Sequence, residues 1–343
     1  MSMISLATRA VERLPLPDAL TQLGVSFLVS RTGRRLDCGA VQRNAEFARS
    51  MLEHPIAEQA QAANDQHYEL PPAFFHNFLG PRLKYSCCLF NSDTASLEDA
   101  EIAALAATVE RARIADGQQI LELGCGWGSL SLWIAERFPG ARVTAVSNSG
   151  LQGAFIRHEA TRRGLRNVRV VTADMNAFRP DIRFDRVISV EMFEHMANWR
   201  ALLARIRGWL TPEGALFLHV FSHTTSPYRF DHGNEADWIA QHFFTGGIMP
   251  SHTLMREFGD LFSVRDEWRW SGRHYAQTAQ CWLANFDANR AVIDPILRDA
   301  YGKDASLWAR RWRIFLLATK GLFGHRNGEP WGVSHYLLAP VGA

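Results

Sequence analysis

Residues 117–147 read GQQILELGCGWGSLSLWIAERFPGARVTAVS. QILEL is a short apolar run bounded by a glycine turn, which predicts a buried strand. Gly124, Gly126 and Gly128 follow it directly, and a helix is expected from Ser129 to Phe138. ARVTAV then reads as a second strand. The same texture continues outward: a helix over 151–163, the strand VRVVTA, the strand FDRVISV, a helix over 197–209 stopped by TPEG, and the strand ALFLHVF. Strand and helix alternate at the spacing of βαβ units, so an α/β fold with a parallel, doubly wound sheet is expected.

The flanks differ. Residues 40–65 are rich in Ala, Glu, Gln and Arg and predict a helix. Pro71-Pro72 breaks it, and Phe74, Phe75, Phe78 and Leu79 then fall on one face. Residues 96–113 predict a helix capped by Ser96, with Asp99 completing an acidic capping box. After Phe221 the alternation becomes irregular: two helices within 223–262, the strand SVRDEWRW, helices up to Leu322, and the closing strand GVSHYLLA. Residues 1–112 are read as an N-terminal helical cover and 113–343 as the catalytic domain, with 223–262 inserted as a substrate cap. Ligands in such sheets bind beyond the carboxyl ends of the strands, where inserted elements become lids.

Composition narrows the function. The 343 residues are 47% hydrophobic and 21% charged, and 37 Lys plus Arg against 35 Asp plus Glu leave a formal charge of only +2. That field is too weak to hold nucleic acid, so no nucleic-acid partner is expected. Arg9, Glu12 and Arg13 interrupt the first fourteen residues, unlike a signal peptide, and no run reaches the ~18 apolar residues of a membrane span. The five cysteines form no CxxC pair, which suits reduced thiols, no metal site and a cytoplasmic location. The 11 Trp, 21 Phe and 6 Tyr predict a large aromatic core, with some rings free to wall a pocket for a cation or an apolar chain.

A glycine loop between strand and helix lets backbone approach a ligand. Its GxGxG spacing, Glu122 two residues before the first glycine, and Ser147-Asn148-Ser149 where a dinucleotide enzyme carries an acidic residue all favour S-adenosylmethionine.

Six motifs carry a resemblance: HYELPPAFFHNFLGPRLKYSCCLF (67–90), GCGWG, SNSGLQ, SVEMFEHM, FTGGIMPS and HYAQT. Together they resemble the cyclopropane-fatty-acid synthase superfamily of methyltransferases from about residue 60 onward. KYSCC, EMFEHM, YGKD and the closing HYLL are most similar to its coclaurine N-methyltransferase-like branch. The resemblance implies a Rossmann-like class I methyltransferase with a seven-stranded, mostly parallel sheet. It implies that Tyr85 and Ser86 approach the methionine carboxylate of the cofactor and Gly124 and Gly126 its backbone. Asn148 and Gln152 would take the ribose, and Asp174 and Met175 the adenine. An uncharged amide suits ribose hydroxyls, and a carboxylate suits the adenine amine, although Asp174 could equally cap the turn before Phe178.

An amine reaches an enzyme protonated, and its lone pair must be freed before methylation. Glu191, Glu194 and His195 follow a strand within five residues, where they could hold a cationic amine and take its proton. The resemblance gives the same region a second reading. Lipid-cyclopropanating members hold bicarbonate as base with residues that fall on Cys87, Glu194, His219 and Tyr275. Glu69 resembles an acidic position that N-methylating members use near the amine. Phe243, Phe244, Trp238 and Trp331 are candidate pocket walls. The basic stretch LWARRWRIFLLATKGLFGHR (307–326) is either a core helix with a solvated edge or a surface for an anionic membrane. A small-molecule amine is the expected substrate and an unsaturated phospholipid acyl chain the alternative, and a homodimer is admitted. A closed aromatic vault would favour the amine, and a long apolar tunnel opening on a basic surface the lipid.

Overall fold

The computed structural model describes residues 12, 14, 16–36, 40–58, 70–234 and 237–342. Its main sheet has seven strands: β1 (Gln119–Leu123), β2 (Arg142–Ser147), β3 (Val168–Thr172), β4 (Phe184–Val190), β5 (Leu210–His223), β8 (Phe262–Ser271) and β9 (Trp331–Pro340). A small ribbon pairs β6 (Tyr228–Arg229) with β7 (Ile248–Met249). The spatial order is β3-β2-β1-β4-β5-β9-β8. The first five strands are parallel, and β9 runs antiparallel between β5 and β8. Ile120, Leu121 and Leu123 of β1, with Val143, Val146, Val187 and Ile188 of its neighbours, are almost wholly buried, as strands covered on both faces require.

Strand order reverses at β1, because β2 lies on one side of it and β4 on the other. The crevice beyond their carboxyl ends therefore receives the loops after β1, β2, β3 and β4. Those loops carry GCGWG, SNSGLQ, Asp174 and EMFEHM. The sheet thus gathers four motifs that lie up to about seventy residues apart in the chain.

A second, aromatic layer covers one side. Pro72–His76 forms a short helix, and Phe74, Phe75, Phe78 and Leu79 are all buried, as their spacing predicts. They meet Trp282 and Phe286 from the helix Gly272–Ala288 and Trp312 from the helix Ala305–Gly324. The helix Asp18–Leu36 packs on the same C-terminal helix. Arg310 donates to the Glu12 carbonyl at 2.6 Å, Arg311 pairs with Glu12, and Arg313 pairs with Asp18 and Asp287. The helical part of 307–326 is therefore a core helix, and its Arg310, Arg311 and Arg313 are engaged inside the protein.

The helix Leu97–Arg111 carries the expected capping box, Ser96 Oγ accepting from Asp99 N–H at 3.1 Å and Asp99 accepting in return. Two expectations fail. The helix read across 40–65 ends at Ser50, gives one 3-10 turn (Met51–Glu53), and is then extended at His54, the residue before Pro55. Residues 59–69 lie outside the described residues. In the 223–262 segment the expected two helices reduce to Trp238–His242 and a 3-10 turn at Leu254–Phe258. The β6–β7 ribbon takes the remainder, because Gly246, at φ +74°, turns the chain back. Cys87, Cys88, Cys125 and Cys281 are free thiols. Among the described residues no helix is long and apolar enough to cross a membrane.

Candidate active site

A cleft of about 770 Å³, counting its open mouth, lies at the switch point. Gly124 and Gly126 line one wall, Asn148 and Gln152 the next, and Asp174 and Met175 the next. Glu191, Met192 and His195 close the side toward β4, with Ala57 and Thr245 above. Six of the eight sequence-derived cofactor residues thus share one cavity. Tyr85 and Ser86 do not line it. Tyr85 packs among Phe75, Phe78 and Trp282 with ring centroids 5.6–6.1 Å away, and Ser86 is buried, accepting from Lys84 Nζ at 2.6 Å.

The cleft suits a ligand with hydroxyl and amine edges. Ser147 Oγ donates to Gln152 Oε1 at 2.7 Å and leaves Gln152 Nε2 buried with no partner among the described residues. A buried donor of this kind is costly unless a ligand meets it. Gly126, at φ +52°, has no atom within 4 Å of where a Cβ would stand, so the loop leaves open room there. Asp174 Oδ1 caps the turn by accepting from Asn176 N–H at 2.7 Å, and the residue also lines the cleft. Asn176 also clamps Ala57, donating to its carbonyl at 2.9 Å, which ties the N-terminal segment over the cavity.

Gly124 answers to a different constraint. It sits at φ +75°, and a Cβ there would lie 2.5 Å from Met192 Cγ and 2.6 Å from Met192 Cβ, atoms too close to the backbone to swing away. Gly124→Ala is therefore expected to push the EMFEHM loop outward and weaken S-adenosylhomocysteine binding at least about tenfold, ~1.4 kcal/mol. Calorimetric titration of wild type and variant reads this directly, and equal affinities would show that the loop yields.

On the β4 side of the cleft, Glu191 stands at the centre of a polar cluster. Its backbone takes φ +49°, unusual for a residue with a Cβ. Oε1 accepts from Cys87 N–H at 2.9 Å and from His219 Nε2 at 3.2 Å, and Oε2 accepts from Tyr275 O–H at 2.6 Å. Burial raises its affinity for a proton, and the nearby Lys84 charge, Tyr275 and Cys87 oppose that rise. Glu194 is fully buried; Oε1 accepts from Phe221 N–H at 2.6 Å and Oε2 has no partner among the described residues. Burial, and then repulsion from Glu191, lift its pKa well above the ordinary carboxylate value. His195 faces the cleft and stacks on Phe244 at 4.9 Å. Burial pushes its pKa down to about 4 against the pull of Glu191, so the ring is neutral at physiological pH.

A row of rings links His195 to Tyr275. From His195 they run through Phe244, Phe221 (5.6 Å) and Phe323 (6.2 Å) to Tyr275, stacked on Phe323 at 4.3 Å. Of the four candidate walls only Phe244 belongs to this row. Phe243 stacks on Phe315, Trp238 donates to Glu12, and Trp331 is wholly buried in β9, so these three are core. Glu69 lies outside the described residues.

The four-residue bicarbonate set does not surround an open seat. Cys87, His219 and Tyr275 all bond the Glu191 carboxylate, while Glu194 bonds Phe221. The Cys87 thiol is buried, which raises its pKa and keeps it neutral, and it is the backbone N–H of Cys87 that meets Glu191. Sequence reasoning missed His335, Arg111 and Lys84. His219 pairs with His335 across β5 and β9, a juxtaposition visible only once the antiparallel register is known.

With the geometry in hand, comparison with known proteins is direct. Residues 56–329 match the family model described as mycolic acid cyclopropane synthetase. The chain is 38% identical over 318 residues to (S)-coclaurine N-methyltransferase of Thalictrum flavum subsp. glaucum, covering 89% of this chain and 88% of that one. It is 28% identical to the cyclopropane-fatty-acyl-phospholipid synthase of Escherichia coli K12, over 80% of this chain and 68% of that one. The crystal structure of a coclaurine N-methyltransferase bound to N-methylheliamine and SAH superposes with a TM-score of 0.92 at 35% identity, over 98% of this chain and all of that one. The sheet is that of the class I methyltransferases. The chain belongs to the mycolic acid cyclopropane synthetase family and, within it, is an S-adenosylmethionine-dependent methyltransferase.

Proposed function

We propose that the protein methylates the nitrogen of a small-molecule amine. One observation carries this reading: the wholly buried Glu194, the nearly buried Glu191 carboxyl and a neutral imidazole lie along one row of aromatic side chains, beside the cleft. Bound S-adenosylmethionine supplies an electrophilic methyl on a sulfonium and leaves as a thioether.

The chain's own residues handle the amine. Glu191, ionised and facing the cleft, anchors the arriving ammonium. Glu194 and His195 handle its proton. In the free protein burial keeps Glu194 protonated, but a sulfonium and an ammonium nearby favour its ionised form. It then becomes a base whose proton affinity, raised by burial, stands above that of an ordinary carboxylate, which favours transfer from an ammonium. His195, too weakly basic to keep a proton, passes it toward the cleft mouth. Phe221, Phe244 and Phe323 exclude water and favour the cationic faces of substrate and product. Of the coclaurine-type relatives, the chain shares the acceptor class, an amine; the specific amine follows from the assay below.

Two observations weigh against methylene transfer to a membrane phospholipid. A carboxylate of the chain sits where that chemistry would need its bicarbonate, and the arginines of 307–326 are engaged with Glu12, Asp18 and Asp287. The test uses cofactor with an isotopically labelled methyl, incubated with an amine panel and, separately, with liposomes of unsaturated phospholipid. Mass spectrometry is expected to find an intact labelled methyl on an amine nitrogen. A labelled methylene in the acyl chains would overturn the reading.

A further inference from the structure

A second cavity adjoins the glycine loop, about 650 Å³ counting its open mouth, and shares no lining residue with the cofactor cleft. The same two elements serve both. Gly124 and Gly126 line the cofactor cleft, whereas Trp127, Gly128 and Ser129 line the second cavity. The helix Gly150–Arg162 gives Gln152 to the first and Phe155 and Glu159 to the second.

Among the described residues nine buried side-chain polar atoms lack a hydrogen-bond partner, and three of them belong to walls of this cavity: Arg82 Nε, Trp127 Nε1 and Ser129 Oγ. The cofactor cleft holds one, Gln152 Nε2. Guanidinium and indole N–H groups only donate, so an acceptor must come to them. Trp127 is 2% exposed, which keeps bulk water from filling that role. Each buried donor left unmet costs about 1–3 kcal/mol. Ser129 also opens the helix Ser129–Arg137, whose N-cap, Gly128, has no side chain to offer its first N–H groups. A helix start of this kind favours negative charge.

The charges agree with the donors. Glu136 and Glu159 of the cavity wall are already paired, Arg163 lying 2.9 Å from each and Arg162 2.8 Å from Glu159. Arg82 has no carboxylate within ion-pair distance among the described residues. Its turn is fixed, since its N–H donates to Glu101 Oε2 at 2.8 Å and Leu83 N–H donates to the Gly80 carbonyl at 2.9 Å. The Arg82 guanidinium lies 5.4 Å from the centre of the Trp133 ring, and that of Arg137 lies 3.1 Å from the same ring. Burial lowers the proton affinity of Arg137, and so, against the pull of Glu136, does the charge of Arg82. Two like charges on one indole, beside donors without acceptors, are surroundings that an anion would relieve.

We propose that this cavity binds a phosphoryl group, as free phosphate or as an ester, with Arg82, Trp127 and Ser129 supplying its hydrogen bonds. A phosphoryl group presents three acceptor oxygens and up to two negative charges, which suits three donors flanked by two guanidinium groups. Phe155 lies 5.5 Å from both His76 and Trp127, so the wall beyond the donors is aromatic and would take a ring carried by an ester. The inference does not depend on which acceptor is methylated.

The test adds sodium phosphate to protein saturated with S-adenosylhomocysteine, against sodium chloride of equal ionic strength. In ¹⁵N-tryptophan NMR spectra of the wild type, one indole N–H signal should move saturably, and it should be the signal missing from W127F. The unfolding midpoint should rise by about 2 °C more in the wild type than in R82M or S129A, by linkage to native-state binding. The general effect of phosphate on apolar burial is common to all three and cancels. Should R82M not fold, S129A carries the comparison. A parallel arm uses phenyl phosphate: a larger response than to phosphate assigns the site to an ester, and a response to phosphate alone assigns it to the free ion. A Trp127 signal that stays in place, equal midpoint rises in wild type and variants, or a response seen only without S-adenosylhomocysteine overturns the site. No readout uses an amine or turnover, so failure here is distinct from failure of the proposed function.

Discussion

Glu194→Gln is expected to lower kcat/KM for the amine by about 10²–10⁴-fold, the range typical for loss of a positioned general base. The amide keeps the shape and keeps an oxygen to accept from Phe221 N–H, a bond of 2.6 Å in the native protein, so folding and cofactor binding should survive. What it cannot do is take a proton. S-adenosylhomocysteine affinity, measured by calorimetry, serves as the control because Glu194 does not line the cofactor cleft. The pH profile supplies a second reading. A base must be deprotonated to act, so activity should fall as pH drops through its pKa. Burial and Glu191 raise that pKa well above 4.5, so the acid limb of the wild type should lie far above the usual carboxylate range. An amine whose own pKa lies well above the range studied keeps substrate titration out of the limb. A Gln variant with unchanged kcat/KM would move the proton-handling role to Glu191 and His195.

The sheet was legible in the sequence because parallel strands buried on both faces must be short continuous apolar runs, and QILEL, RVTAV and FDRVISV are such runs. The cofactor cleft was legible for the same reason, since the loops that build it directly follow those strands. The reacting end was only half legible. EMFEHM announced its three ionisable groups, but nothing in the sequence says that Glu191 bends back on Cys87, His219 and Tyr275. That contact depends on a left-handed backbone at a non-glycine residue, which no periodicity reveals. Nor could the sequence pair His219 with His335, 116 residues apart, before the antiparallel register of β5 and β9 was known. The 223–262 segment misled because its apolar residues serve a ribbon and turns around Gly246 where helices were expected. For 307–326 the sequence left a core helix and a membrane-facing surface both open, because the partners that decide between them, Glu12, Asp18 and Asp287, come from elsewhere in the chain.

Trp312→Ala is expected to cost about 3–5 kcal/mol of stability, the usual range for deleting a buried Trp or Phe ring. Trp312 has no exposed surface and touches rings from three parts of the chain. Phe74, Phe75 and Phe78 come from the segment before the sheet at 4.9–6.3 Å, Phe243 from the cap at 5.2 Å, and Phe315 from its own helix at 6.1 Å. No single side chain can move to fill a hole with walls on so many elements, so the cavity term should be near its upper end. Against a total stability of about 5–15 kcal/mol, such a loss is large. Urea unfolding should show the midpoint fall with the slope unchanged, and Trp312→Phe, which keeps a ring, should lose a smaller share. A shift below about 1 kcal/mol, near the middle of ordinary substitutions, would mean that the layer repacks freely. The functional consequence separates the two halves of the site. Phe244, beside His195, is the chain neighbour of Phe243, which Trp312 touches directly, whereas the glycine loop reaches Trp312 only at one remove, through Trp127 packed on Phe75 at 4.8 Å. Softening that support should raise KM for the amine more than it weakens S-adenosylhomocysteine binding, because the cofactor's walls stand on strands that Trp312 does not touch.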